Sequence, residues 1–180
     1  GIHAMDHFLH LMGPWSEVRA VVRTLDRAIE VEDVSLALVT FANGAVGSIV
    51  NSALSPRQET YLRLDYQRAT VELTHLYSYT RDNWKLTPVP PAQDDGLLQA
   101  WHSFPPDVGS THGAQLNAFV ADMDAKRRPL TSGDQARQTL ELLTAIYKSG
   151  FTGEIVKRGS IKPGDSFYPV VHGNRAPERV

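Results

Sequence analysis

The apolar and polar positions switch between two rhythms along the chain. From Ile2 to Met12 the rhythm is helical. On a wheel of about 100° per residue, Met5, Phe8, Leu9 and Met12 fall on one side, and His3, Asp6, His7 and His10 on the other. Gly13-Pro14 stops this helix, the glycine as a left-handed cap and the proline because it cannot continue the ladder. The period then drops to two. Val18, Ala20 and Val22 alternate with polar neighbours, Ser35 to Phe41 reads as a second strand, and Asn43-Gly44 predicts a type I′ hairpin returning through Val46 to Asn51. Tyr61 to Leu64 and Thr70 to Leu73 form another pair, followed by shorter strands over Tyr77 to Tyr79 and Trp84 to Leu86. Pro88, Pro90, Pro91, Pro105 and Pro106, with Asp94-Asp95-Gly96, mark 88–109 as a surface excursion without an element of its own.

Helical rhythm resumes at Thr111, with Leu116, Phe119, Val120 and Met123 on one face, and ends before Pro129. A last helix starts at Ser132, where Ser132 and Gln135 form an S-x-x-Q capping box. Its apolar stripe is Leu140, Leu143, Ile146 and Tyr147, and Gly150 with Gly153 ends it. Strands that follow one another through short turns pair as a meander, so the sheet is largely antiparallel. The tail from Gly159, rich in Gly, Pro and charge, is expected to wrap the surface or to be loosely held.

Composition narrows the function classes. At 180 residues the chain has room for one domain or a tight pair, at about 100–200 residues per domain. Apolar residues make up 42% and charged residues 21%, which is globular rather than disordered composition. The net charge of −2 argues against a nucleic-acid or acidic-membrane partner. No run approaches the ~18 apolar residues of a membrane span. Cysteine is absent, which excludes disulfides, thiolate metal sites and a cysteine nucleophile. A cytoplasmic location is the default expectation.

None of the 13 glycines lies two residues from another, so the G-x-G of a dinucleotide loop occurs nowhere. The phosphate loop G-x-x-x-x-G-K-[ST] and the nucleophile elbow G-x-S-x-G are missing too. By this reading the chain alone binds no nucleotide through a known loop. The chemistry concentrates on the first helix. A solvated face is normally Lys, Glu, Arg and Gln; His3, Asp6, His7 and His10 instead resemble the wall of a polar pocket. Asp6 and His10, at i and i+4, are spaced for a carboxylate–imidazole hydrogen bond, which suits a histidine taking a proton from an alcohol. Two alternatives stay open: a plain polar helix surface, and a Zn²⁺ or Mn²⁺ site built on His3, Asp6 and His7, which implies a small metal hydrolase. His112 and Gln115 are weaker pocket candidates. Glu32-Asp33 reads as a turn marker, Lys126-Arg127-Arg128 as cations complementing a helix C-terminus, and Trp15, Trp84 and Trp101 as core or interface anchors.

Gly1-Ile2-His3-x-x-Asp6, then Leu11-Met12-Gly13-x-x-x-Glu17-Val18-x-Ala20, resembles the start of the C-terminal domain of the glucose–fructose oxidoreductase/inositol dehydrogenase/MocA family. The likeness continues in order through Val31-Glu32-Asp33, Phe41-x-Asn43-Gly44-Ala45-x-Gly47, Pro129-x-x-Ser132-Gly133-x-x-Ala136-Arg137 and Ala145-Ile146-Tyr147-x-Ser149, reaching about Val156. Where many members have a Gly-x-x-Gly turn, this chain has Asp65-Tyr66-Gln67-Arg68-Ala69-Thr70. The resemblance implies an α+β fold with an open-faced, mainly antiparallel sheet and helices on one face, over residues 1–158, with 159–180 as an extended tail. It implies the second half of a two-domain dehydrogenase acting on a sugar, cyclic polyol or derivative. NAD or NADP would be held by a Rossmann domain absent from this chain, and the chain alone would carry no cofactor and no activity. By the same resemblance His10 exchanges the substrate hydroxyl proton, Asp6 orients it, His3 and His7 touch substrate hydroxyls, and the sheet face makes a homo-oligomer. The rival reading is a non-catalytic oligomerisation or scaffold domain.

Overall fold

The computed structural model describes residues 1–74, 79–90, 96–104 and 111–179. The lead helix α1 spans Ile2–Met12 and buries Met5, Phe8 and Leu9, as its wheel predicts. Gly13 stops it at φ 84°, ψ −161°. This is not the left-handed cap expected but a region essentially confined to glycine, so the turn into Pro14 needs that residue more strictly than an αL cap does. The chain continues as β1 (Trp15–Thr24), β2 (Val34–Phe41) and β3 (Val46–Ser52), then β4 (Tyr61–Asp65), β5 (Ala69–Thr74) and β6 (Trp84–Pro88). Helices α2 (Leu97–His102), α3 (His112–Asp124) and α4 (Gly133–Thr152) follow, with two short strands, β7 (Val156–Lys157) and β8 (Glu178–Arg179). The Tyr77–Tyr79 expectation falls partly outside the described residues. Among the described residues no helix is long and apolar enough to cross a membrane.

The chain divides into two units: Gly1–Arg57 with Ser132–Val180, and Gln58–Thr131. The first is built on a sheet of order β3-β2-β1-β7, with β8 pairing β1 in parallel and the other pairings antiparallel. Its core face carries Val18, Ala20 and Val22 from β1 and Ala37, Val39 and Phe41 from β2, all buried. Helices α1 and α4 cover this face, and the Phe8 ring meets Phe41 edge-on with centroids 5.1 Å apart. The other face is open: Val21, Leu36 and Val50 stand in one register row across three strands, all exposed, beside an exposed Leu38. This is the α+β, open-faced antiparallel architecture expected from the sequence. The second unit carries the meander β4-β5-β6, in which Thr70 donates to Asp65 at 2.7 Å across the turn that replaces Gly-x-x-Gly.

Four local expectations change. The β2–β3 loop is not type I′, which requires positive φ at two residues. Only Gly44, at φ +87°, has it. The Gly44 N–H bonds Phe41 O and the Phe41 N–H bonds Ala45 O, which is a turn closed by a glycine bulge. The Asn43 side chain accepts from the Ala45 N–H and donates to Met12 O at 3.2 Å, tying the hairpin tip to the end of α1. The 88–109 excursion does contain an element, α2, where Leu97 to His102 is a run without Gly or Pro; Arg81 donates to its Trp101 O at 2.6 Å. The capping box does not form. The Ser132 hydroxyl donates to the Gln135 side-chain oxygen and caps no backbone N–H.

Finally, the buried stripe of α4 is Thr139, Leu142, Thr144, Ala145, Ile146 and Ser149, while Leu140 is exposed, and the helix runs through Gly150 to a cap at Gly153. Small residues win because the helix lies close on β1. A Cβ at Gly150 would sit 2.6 Å from Val22 Cγ2. The fully buried Ser149 hydroxyl accepts the Ala20 N–H at 2.9 Å and donates to Glu154 O. Ala20 lies between the stretches of β1 that pair with β7 and with β8, so its N–H has no strand partner on that side. Ser149→Ala leaves this amide buried and unpaired, and a loss of about 1–3 kcal/mol is expected. Denaturant unfolding reads the loss, and hydrogen exchange at the Ala20 amide localises it.

Candidate active site

α1 has no side-chain cap and no acidic residue in its first turn, so its own sequence does little to hold it. Packing does that instead. A Cβ at Gly47 of β3 would approach Phe8 Cζ to 2.4 Å, so glycine there lets the helix settle on the sheet. The polar side is thereby turned outward: His3, Asp6 and His10 are exposed and His7 is half-buried. The face is an open polar surface. A cavity of about 820 Å³ lies elsewhere in the same unit, between the loop after β1, the end of α4 and the tail, lined among others by Glu32, Tyr147, Phe151 and Arg175.

The four predicted residues do share one face, but the expected Asp6–His10 hydrogen bond is not made. Asp6 Oδ1 accepts instead from Thr139 Oγ1, reaching across from α4 at 2.7 Å. Asp6 and His10 remain one turn apart. Burial holds the His7 imidazole below its usual pKa of 6.5, the nearby His10 adds to that, and Asp6 opposes it. His7 is therefore a neutral hydrogen-bonding ring near neutral pH. Among the described residues no group of three or more His, Asp or Glu is arranged to hold a metal, so His3, Asp6 and His7 are not assembled as a ligand set. His112 and Gln115 are exposed on the first turn of α3.

Sequence reasoning missed Thr139 and only half read Glu32-Asp33. Asp33 marks the turn as expected: burial opposes its ionisation, but the N–H groups of Arg27, Asp26 and Leu25 outweigh that and lower its pKa. Glu32 does something else, accepting the Tyr147 hydroxyl at 2.7 Å. Burial first, then this carboxylate, raises the Tyr147 pKa. The signal for Thr139 was present in the spacing 139, 142, 146, 149, a helical stripe whose polar ends look misplaced beside the larger leucines.

Among the described residues the only parallel pairing is the short one of Arg23 with Glu178 and Thr24 with Arg179, and its strands are not the consecutive pair of a βαβ unit.

Residues 1–86 match the family model of the GFO/IDH/MocA C-terminal domain, so the resemblance read from the sequence is borne out there. The chain is 28% identical over 169 residues to D-apiose dehydrogenase of Paraburkholderia graminis, covering 90% of this chain and 44% of that protein. Among solved structures it resembles the WlbA dehydrogenase of Bordetella pertussis in complex with NADH and UDP-GlcNAcA, with TM-score 0.66 and 26% identity over 85% of this chain and 43% of that one. The aldose-aldose oxidoreductase of Caulobacter crescentus complexed with glycerol shares the fold at TM-score 0.66, with 23% identity over 87% of this chain and 45% of that one. The chain thus spans under half the length of each of these three relatives.

Proposed function

We propose that this chain is the substrate-binding half of an NAD(P)-dependent oxidoreductase acting on a sugar, cyclic polyol or derivative, and that it does not turn over by itself. The observation that carries the reading is the outward face of α1. An exposed imidazole, His10, stands one turn from a carboxylate, Asp6, that is anchored from a second helix. The full-length protein would hold the dinucleotide on a part outside this chain, which is the role such a cofactor needs filled in hydride chemistry.

The chain's own residues supply the proton side of the reaction. His10 accepts the substrate hydroxyl proton. The negative charge of Asp6 one turn away favours the imidazolium that results, and its anchoring by Thr139 keeps that charge in place. His7, neutral and half-buried, hydrogen-bonds a substrate hydroxyl, and the exposed His3 does so at the start of the helix. The test is nicotinamide reduction by the full-length protein with NAD⁺ or NADP⁺ and a panel of aldoses and polyols that includes D-apiose. Turnover on at least one, lost on substitution of His10, supports the reading; turnover that survives His10→Ala overturns it.

The open sheet face supports a homo-oligomer as part of the same reading. Leu38 is 66% exposed and Val46 77%, on the same face as the row Val21, Leu36 and Val50, and exposed apolar residues clustered in this way mark interfaces. Leu38→Lys with Val50→Glu is expected to convert the protein to monomers in sedimentation analysis without lowering its melting temperature; an unchanged assembly state rejects this face as the interface.

A further inference from the structure

We infer that Thr139 is a positioning residue of this site: its hydroxyl, delivered from α4, pins the Asp6 carboxylate and so fixes where that charge sits relative to His10. The inference rests on the roles proposed above for Asp6 and His10. It is carried by what Thr139 does not do. A threonine inside a helix ordinarily returns its hydroxyl proton to the carbonyl one turn back. Its neighbours on α4 behave so: Thr144 donates to Leu140 O and Thr152 to Lys148 O, both at 2.8 Å. Thr139 instead spends its single proton on a side chain 133 residues away in sequence.

Burial makes this bond selective. Thr139 is 5% exposed, so its hydroxyl has little water to turn to, whereas Asp6 is an exposed residue. A short aspartate with a free choice would sample several rotamers on a solvated helix. One bond from a buried donor removes that choice. The carboxylate then answers to the α1–α4 packing, and through it to the sheet beneath.

The test uses three-bond couplings that report the Asp6 side-chain torsion in the labelled 180-residue chain. Wild type is expected to show a single rotamer. Thr139→Val, which keeps the shape and removes the donor, is expected to show rotamer averaging, and Thr139→Ser, which keeps the donor, a single rotamer again. An Asp6 that stays fixed in Thr139→Val overturns the inference. If the valine variant does not fold, Thr139→Ser decides alone: averaging in the serine variant overturns the pin, and one rotamer supports it. In the full-length protein Thr139→Val is expected to lower kcat roughly 10- to 100-fold with little change in KM, as for a misplaced catalytic group. Turnover unchanged in Thr139→Val while His10→Ala abolishes it overturns the positioning role and leaves the proposed function standing. Turnover unchanged in both overturns the two together.

Discussion

His10→Ala in the full-length protein is expected to lower kcat/KM by about 10²–10⁴-fold, the range for removing a general acid–base group. Steady-state kinetics on the best sugar or polyol of the panel reads this directly. The imidazole is exposed on the outer face of α1 and makes no hydrogen bond to Asp6, so removing it leaves no buried partner unsatisfied and the melting temperature is expected to hold. That separation of activity from stability is what distinguishes a chemical role from a structural one. Asp6→Asn is expected to reduce kcat less severely, because the amide can still accept from Thr139 and only the charge is lost. His3→Ala is expected to act chiefly on KM, since a hydrogen bond made equally in ground and transition states affects binding alone. An unaffected kcat in His10→Ala would return α1 to a plain polar surface.

Gly47→Ala is expected to produce the larger combined defect in fold and site. The added Cβ would lie 2.4 Å from Phe8 Cζ, at the point where α1 rests on β3. Phe8 is buried and packed edge-on against Phe41, so its ring has little room to withdraw. Overpacking of this kind costs about 1–3 kcal/mol. Much of the relief must come from α1 lifting off the sheet, which carries Asp6 away from Thr139 and displaces His10. Thermal unfolding is expected to shift downward and kcat/KM to fall with it. Gly133→Ala supplies the control, since nothing lies within 4 Å of a Cβ built there, and it is expected to leave both unchanged. Equal behaviour of the two variants would remove the close approach as the reason for glycine at position 47.

What could be read from the sequence follows from which forces act locally. The strands of the first sheet appear in the alternation of Val18, Ala20 and Val22, and α1 in the spacing of Met5, Phe8 and Leu9, because burial of one face imposes those periods directly. The four polar residues of the candidate site were legible for the same reason, as the complement of a buried stripe. The interior of α4 was not. Sequence logic favours the larger side chains Leu140 and Leu143 as core, whereas the close approach to β1 selects Ala145, Ser149 and Gly150, a demand set by the distance between two elements. Thr139 escapes for a related reason: its partner is fixed by tertiary packing, and spacing along one helix cannot name it. Spacing alone suggested a proton-accepting histidine beside a carboxylate but left a plain polar surface and a metal site open, and the resemblance to a family was what favoured the first of these expectations.

The first unit is assembled from both ends of the chain, Gly1–Arg57 and Ser132–Val180, around the intervening residues of the second. During synthesis β1 to β3 therefore emerge long before α4, β7 and β8, which cover the core face and complete the pairing of β1. Until then the nascent sheet lacks the cover of α4 and carries an unpaired edge, features that favour self-association. Arrival of the last helix closes the hydrophobic core and brings Thr139 to the Asp6 carboxylate in one event, so this contact is acquired only by molecules whose translation has run through that helix.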